Sequence, residues 1–193
     1  MPAIRRLCVY CGSAVGVDPR HREAARMLGA GLAERGIELV YGGGRVGLMG
    51  VLADAVLAGG GRVVGIIPAA LCDAELAHEG ASELVIVGSM HERKRQMAER
   101  ADAFAVLPGG IGTLDETFEI LTWRQLGLHD KPIFLVDVAG YWQTLRRLLE
   151  HLAASGFVKP VEPRLLQAVP DTAALLRALA QHPAGGLPRS ELL

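Results

Sequence analysis

The chain has 193 residues, of which 50% are apolar and 21% charged, and its formal net charge is −1. That length and apolar content provide one domain with a full core, and the near-neutral charge gives no overall attraction to nucleic acid or to an anionic membrane surface. No apolar stretch approaches the roughly 20 residues that cross a bilayer, and the N-terminal apolar run is too short for a signal peptide. From the charge we expect no nucleic-acid partner, and from the charge and the short apolar runs we expect no membrane partner.

Short β-branched runs alternate with amphipathic helical stretches along the chain. This alternation predicts an α/β fold, a Rossmann-like doubly wound parallel sheet flanked by helices, in one domain over residues 1–182. The last residues, 183–193, contain two glycines and two prolines and are expected to be a flexible tail. Predicted strands cover residues 7–10, 38–41, 62–67, 84–87, 103–107 and 132–136, and predicted helices cover 21–35, 48–58, 90–101, 113–127, 141–155 and 171–181.

Two cysteines, Cys8 and Cys11, lie in the first predicted strand and just after it. Their spacing resembles a redox Cys-x-x-Cys pair, but such motifs open a helix, whereas Val9 and Tyr10 favour an extended chain. Since the total of three cysteines is also odd, we expect reduced thiols in a cytoplasmic protein.

A glycine cluster follows the second predicted strand, where residues 42–47 read Gly-Gly-Gly-Arg-Val-Gly. The cluster fits the dinucleotide pattern G-x-G-x-x-G, but a NAD site would place it after the first strand, with an acidic residue about 20 positions on. Residues 62–67 offer no carboxylate, and no Gly-Lys-Ser/Thr ending supports a P-loop. Two interpretations remain: the glycines allow a tight turn for close helix packing, or they form a second wall of a cleft that binds a phosphate or a ribose. The second is favoured, because this turn and the glycine turn at residues 109–112 lie at the same edge of the predicted sheet.

The helix predicted after the fourth strand begins with Ser-Met-His-Glu at residues 89–92, a capping-box pattern. Its residues Met90, Arg93, Lys94 and Met97 share one face at helical spacing. Because burying unpaired charge is costly, these two cations need an anionic partner from the protein or from a ligand, unless they extend to solvent. We favour a ligand or catalytic role for Arg93, and leave Lys94 open between ligand binding and solvent.

Residues 107–116 read Leu-Pro-Gly-Gly-Ile-Gly-Thr-Leu-Asp-Glu and follow the fifth predicted strand. The glycines permit positive φ and let a ligand approach bare N–H groups, while Thr113 is placed to cap the next helix, an arrangement typical of phosphate binding. Glu116 then has two interpretations. Either it folds back on Thr113 as the acid of a capping box, or it faces the uncharged part of the ligand, which suggests chemistry at a sugar.

Other catalytic patterns are missing from the sequence. The histidines are scattered without metal-ligand spacing, and no Gly-x-Ser-x-Gly elbow is present. Pyridoxal chemistry needs a lysine, and of the three lysines only Lys94 lies in a predicted ligand-facing position. We therefore expect no metal and no cofactor.

Two motifs together carry a family resemblance: Met-His-Glu-Arg-Lys at residues 90–94 and Pro-Gly-Gly-Ile-Gly-Thr-Leu-Asp-Glu at 108–116. They resemble the signatures of the LONELY GUY family of cytokinin-activating phosphoribohydrolases, long labelled possible lysine decarboxylases. The similarity extends from Cys-Gly-Ser at residues 11–13 to Gly-Tyr at 140–141. The family differs in usually having a serine at the position of Ala14 and a glutamate at that of Asp115.

The resemblance implies a homodimer with a Rossmann-like subunit that hydrolyses the N-glycosidic bond of an N6-substituted purine nucleoside 5′-monophosphate to free base and ribose 5-phosphate. It implies Arg93 and Glu116 as the catalytic pair. The alternative is a non-catalytic nucleotide or molybdenum-cofactor carrier of similar fold, which has no need for that pair. Positions implied to bind the nucleotide are Ser13, Gly43, Glu75, Lys94, Gly110, Ile111, Gly112, Thr113 and Thr122.

The predicted helix over residues 113–127 bears on the oligomer. Its apolar side chains Phe118, Ile120, Leu121 and Trp123 are more than one buried stripe needs, which suggests a subunit interface. A partner packing there would lie near the ligand, and we expect the Glu75 segment and Thr122 to face the neighbouring pocket.

Overall fold

The structure is a computed structural model that describes residues 4–182. The strands are β1 (Arg6–Tyr10), β2 (Glu38–Tyr41), β3 (Val63–Pro68), β4 (Glu83–Val87), β5 (Ala103–Val106), β6 (Ile133–Val136) and β7 (Gln167–Val169). The helices are α1 (Pro19–Glu34), α2 (Gly47–Ala58), α3 (Met90–Arg100), α4 (Ile111–Gln125), α5 (Gln143–Ala154) and α6 (Thr172–Gln181). All strands are parallel in one sheet of order β4-β3-β2-β1-β5-β6-β7, which confirms the predicted doubly wound fold.

The strand β7 was not predicted, whereas the other strands and the helices α1 to α6 begin and end within two residues of their predicted bounds. It has only three residues, too few for a period-2 pattern, and it pairs with β6 at one edge of the sheet. The helix α1 begins earlier than predicted because the side chain of Asp18 accepts a hydrogen bond from the Arg20 N–H at 2.9 Å. The predicted tail, 183–193, lies outside the described residues.

The core has two layers, one on each face of the sheet. Side chains alternate along β1, so that Leu7 and Val9 pack in the layer with α1, α2 and α6, while Cys8 and Tyr10 pack in the layer with α3, α4 and α5. Strands buried on both faces read as the continuous apolar runs seen in the sequence. The cysteines are free thiols, and no helix within residues 4–182 is long and apolar enough to cross a membrane.

The glycine turns after β1, β2 and β5 lie at the same edge of the sheet, because parallel strands present their carboxyl ends together. The N–H of Gly12 donates to the carbonyl of Pro108 at 3.0 Å, and the N–H of Leu48 donates to the carbonyl of Gly12 at 3.0 Å. Gly47, the first residue of α2, has φ +57, and a Cβ there would overlap the backbone of Ser13. The close approach of α2 to the loop after β1 therefore depends on glycine at 47.

We expect Gly47→Ala to lower the free energy of unfolding by about 2–5 kcal/mol, through roughly 1–2 kcal/mol of left-handed strain and roughly 1–3 kcal/mol of overpacking. Gly60→Ala is the matched control, because Gly60 has φ +75 and open space around its Cβ position. It carries the strain alone, about 1–2 kcal/mol. Urea denaturation of both variants measures the difference, and equal losses would show that the contact with Ser13 is unimportant.

Candidate active site

A cleft opens at the carboxyl edge of the sheet between the glycine turns and the starts of α3 and α4. Its volume is about 620 Å³, part of it open to solvent. Both predicted catalytic residues, Arg93 and Glu116, line it. The other lining residues are Cys11, Ser13, Met49, Leu71, Glu75, Met90, Gly110, Ile111, Gly112, Thr113 and Asp115.

The start of α4 forms one wall of the cleft. The helix begins at Ile111 with Gly110 as its N-cap, and none of the side chains in residues 4–182 caps this end. The first N–H groups of the helix thus retain their hydrogen-bonding capacity, and together with the positive end of the helix dipole they could bind an anion. The predicted cap at Thr113 is wrong, because Thr113 lies inside the helix and is buried.

The glycine turn before α4 is fixed by a hydrogen bond from Tyr141. Tyr141 donates its hydroxyl to the carbonyl of Gly109 at 2.7 Å, and a Cβ on Gly109 would overlap the side chain of Thr113. No role for Tyr141 was predicted from the sequence. Its position just beyond the carboxyl end of β6, at the ligand edge of the sheet, was the signal that could have indicated one.

Glu116 lies in the second turn of α4, so its interpretation as a capping residue is wrong. Burial raises the pKa of its carboxyl to about 7, against the lowering effect of the Arg93 guanidinium, while the carboxylates of Glu75 and Asp115 add to the rise. A carboxyl with this pKa exchanges a proton readily near neutral pH, as a general acid or base requires.

Arg93 is 4% exposed and is fixed by three acceptors. Its Nε donates to the carbonyl of Ile66 at 3.1 Å, and its Nη2 donates to the carbonyl of Gly42 at 2.7 Å and to Oε2 of Glu75 at 3.1 Å. Within residues 4–182, Nη1 has only the weak sulfur acceptor of Met90, at 3.8 Å. The protein therefore supplies the anionic partner that the sequence required, and the guanidinium keeps donors for a ligand.

Lys94, next to Arg93, does not line the cleft. Its Nζ lies 3.1 Å from Oδ2 of Asp115 and 3.0 Å from Oε1 of Glu119, so it ties α3 to α4. The predicted need for an anionic partner, from the protein or from a ligand, is thus met by the protein, and binding of Lys94 to a ligand stays a prediction. The partners lie 21 and 25 residues along the chain, where no local pattern could indicate them.

The other predicted binding positions divide into two groups. Ser13, Glu75 and residues 110–113 line the cleft with the catalytic pair. Thr122 and Gly43 are not among the lining residues: Thr122 is exposed and donates its hydroxyl to the carbonyl of Phe118 at 2.7 Å, while Gly43 packs beneath the cleft against Ile66 and Ile67.

The start of α3 matches its predicted cap in part. The side chain of Ser89 accepts the N–H of Glu92 at 3.2 Å, as expected, whereas Oε2 of Glu92 accepts the N–H of Gly88 at 2.9 Å instead of that of Ser89. This cap fixes the first turn of α3, which carries Met90 and Arg93 to the cleft.

Within residues 4–182, no group of three or more histidine, cysteine, aspartate or glutamate side chains is arranged to hold a metal ion.

The chain is similar to one family of known proteins over most of its length. The family described as possible lysine decarboxylase matches residues 49–179. The cytokinin riboside 5′-monophosphate phosphoribohydrolase LOG7 of Arabidopsis thaliana is 46% identical over 92% of this chain and 82% of its own. The probable cytokinin riboside 5′-monophosphate phosphoribohydrolase LOGL1 of Oryza sativa subsp. japonica is 48% identical over 92% of this chain and 79% of its own.

Among solved structures, the molybdenum cofactor (Moco) carrier protein of Chlamydomonas reinhardtii has a similar fold. It aligns with a TM-score of 0.70 at 19% identity, over 94% of this chain and 97% of its own.

Proposed function

The chain belongs to the possible lysine decarboxylase family, in which its relatives are named cytokinin riboside 5′-monophosphate phosphoribohydrolases, and from this premise we propose that it hydrolyses a purine nucleoside 5′-monophosphate. Water cleaves the N-glycosidic bond of an N6-substituted adenine nucleotide to give the free base and ribose 5-phosphate. The observation that carries the proposal is one cleft that is lined by Glu116, with its raised pKa, by Arg93 and by the uncapped N-terminus of α4.

The 5′-phosphate binds at the first turn of α4. Backbone N–H groups of residues 110–113 and the helix dipole hold its charge, and Ser13 provides a hydroxyl on the opposite wall. This binding is remote from the scissile bond, so its energy places C1′ of the ribose beside Glu116.

At C1′ the bond to the base nitrogen breaks and its electron pair leaves with the base, which takes up a proton. The ribose gains oxocarbenium character, which the ionised carboxylate of Glu116 stabilises. Glu116 accepts a proton from the attacking water as the oxygen of that water bonds to C1′. The proton gained by the base balances the one that the water loses. A guanidinium does not release a proton under ordinary conditions, so Arg93 is not the proton donor. It stabilises the ionised form of Glu116 and can bind a ribose hydroxyl.

The positions of Lys94 and Lys131 do not support a lysine decarboxylase activity. Lys94 is engaged by two carboxylates, and Lys131 is buried outside the cleft with its Nζ donating to the carbonyl of Ala98 at 2.7 Å. Neither offers a free amine in the cleft for a Schiff base. The carrier alternative has in its favour the fold shared with a molybdenum cofactor carrier, and release of adenine from AMP distinguishes hydrolysis from binding alone.

We further propose that the protein is cytoplasmic, consistent with its free cysteines, and that it works as a homodimer. Of the four apolar side chains that suggested an interface, Ile120 and Leu121 are buried within the chain and form its own buried stripe on α4. Ile111 is 83% exposed, Phe118 is 37% exposed and Leu126 is 68% exposed, and these lie roughly along one side of α4. Since Ile111 also lines the cleft, a partner on this side would border the active site.

The expected placement of Glu75 toward a neighbouring pocket is wrong, because Glu75 binds Arg93 of its own chain. A shared site therefore rests on the exposed side of α4.

Replacing Glu116 with glutamine is expected to lower kcat/KM for AMP by at least about a hundredfold, because the ionised carboxylate is lost at C1′. The affinity for ribose 5-phosphate should change little, since backbone groups hold the phosphate. In the unsubstituted enzyme kcat/KM should fall as the pH drops below about 7, because protonation removes the base form of Glu116.

Glu99→Gln is the matched control for this substitution, because Glu99 pairs with Arg95 on the surface of α3 and makes no contribution to the cleft. It should retain full turnover. A Glu116→Gln enzyme with more than about a tenth of normal turnover, a loss under about 1.4 kcal/mol, would remove Glu116 from the chemistry.

Adenosine should be a far poorer substrate than AMP, with kcat/KM lower by at least about a thousandfold, because it lacks the phosphate whose binding energy positions C1′. Steady-state release of adenine from both compounds measures the ratio. Similar values would contradict anion binding at residues 110–113.

Introducing a charge on the exposed side of α4 with Phe118→Glu should shift the protein to a monomer in analytical ultracentrifugation and reduce base release together with it. Leu148→Glu is the control, because Leu148 is 47% exposed on α5, away from the cleft. A fully active monomer would contradict the proposal that the protein works as a homodimer.

A further inference from the structure

The loop that carries Glu75 is fastened to the glycine turn after β2. The N–H of Arg45 donates to the carbonyls of both Glu75, at 3.0 Å, and Leu76, at 2.9 Å. The N–H of His78 donates to the carbonyl of Gly43 at 2.9 Å. These bonds set the backbone of Glu75 relative to the strand end from which Arg93 takes one of its acceptors, the carbonyl of Gly42.

The backbone of this loop is strained at the residue after Glu75. Leu76 has φ 49, in the left-handed region that side chains other than glycine rarely adopt. A conformation of this kind persists only where the surroundings hold it, and it tends to occur at functional sites. If the loop were released, Leu76 would relax and the side chain of Glu75 would move away from Arg93.

One buried side chain anchors the loop. His78 is 1% exposed, and its Nε2 lies 3.0 Å from Oδ1 of Asp54 on α2. The same oxygen lies 3.2 Å from Nη2 of Arg45, so Asp54 binds the loop and the glycine turn at one point. Nδ1 of His78 is buried with no partner in residues 4–182, so a single hydrogen bond fixes the ring.

We propose that His78 and Asp54 act as positioning residues for the hydrolysis, by holding Glu75 against Arg93; the inference rests on the proposed function. Glu75 accepts from Nη2 of Arg93 at 3.1 Å, and both groups act on the ionisation of Glu116 in opposite directions. The His78 bond therefore influences the chemistry without touching the substrate. The first turn of α4, where the phosphate binds, is not part of this contact set.

A double-mutant cycle tests whether His78 acts through Glu75. His78→Ala should lower kcat/KM for AMP by about tenfold and leave the inhibition constant of ribose 5-phosphate unchanged, because only the Glu75 side of the cleft shifts. In a Glu75→Gln background, His78→Ala should cause no further loss. Additive losses in the double variant would overturn the proposal, since a general structural role gives independent effects.

Two further variants separate positioning from simple destabilisation. His78→Gln, whose amide can donate to Asp54, should recover at least about threefold of the lost kcat/KM. His129→Ala removes another buried histidine, whose Nε2 lies 3.0 Å from the carbonyl of Ile120 outside the cleft, and should lower stability without lowering kcat/KM. An equal fall in kcat/KM for His129→Ala and His78→Ala would also overturn the proposal.

Hydrogen exchange keeps this inference separate from the proposed activity. If the unsubstituted protein released no base, the proposed function would fail, and the anchor could still be measured in the protein itself. In His78→Ala the amide protons of Arg45 and of residue 78 should lose at least about tenfold in protection from exchange, with those of β2 unchanged. Unchanged protection at Arg45 and at residue 78 would show that His78 does not hold the loop.

Discussion

The cleft depends on one buried guanidinium. A charge that is 4% exposed is tolerated only with close partners, and Arg93 obtains them from the carbonyls of Gly42 and Ile66 and the carboxylate of Glu75. These bonds join the residue after β2, strand β3, the start of α3 and the loop that follows β3. Gly42 must be glycine, because a Cβ there would overlap the guanidinium. Removing Arg93 would leave these groups without the donor that holds them together.

The electrostatics of the site follow from the same ion pair. Glu75 offsets part of the positive charge of Arg93, so Arg93 only partly opposes the effect of burial on Glu116. The outcome is a pKa near 7 for Glu116, between that of a permanently ionised and a permanently protonated acid. The neighbouring cation Lys94 is turned to Asp115 and Glu119, which leaves the anion site to backbone N–H groups. This division suits a ligand with a phosphate at one end and a neutral sugar beside Glu116.

The sequence predicted the sheet, most elements and the convergence of the glycine turns, because continuous apolar runs and 3.6-residue periodicity are local signals. It predicted the wrong start for α4. Thr113 and Glu116 have the spacing of a capping box, but the extended backbone of Gly110 lets the helix begin at Ile111. The burial of Arg93 could be inferred from its helical face, whereas its acceptors on Gly42 and Ile66 depend on tertiary contacts.

The positions taken from the family resemblance differ in whether they line the cleft, because this too depends on tertiary contacts. Ser13, Glu75 and residues 110–113 line the cleft of the single chain, whereas Thr122 lies on the exposed side of α4. Motif matching specifies residues without saying whether a ligand, the protein or a partner meets them. The ion pairs of Lys94 show how the protein can satisfy a residue that the motif assigned to the ligand.

The titration of Glu116 tests the central claim most directly. Carbon-13 NMR of the labelled side-chain carboxyl, with Glu116→Gln used to assign the signal, gives its pKa in the intact protein. The structure predicts a pKa of about 7, and a further rise when Arg93 is replaced by methionine, because the guanidinium stabilises the ionised form. A pKa near 4.5, the ordinary value for glutamate, would contradict the claim that burial tunes this carboxyl for proton transfer.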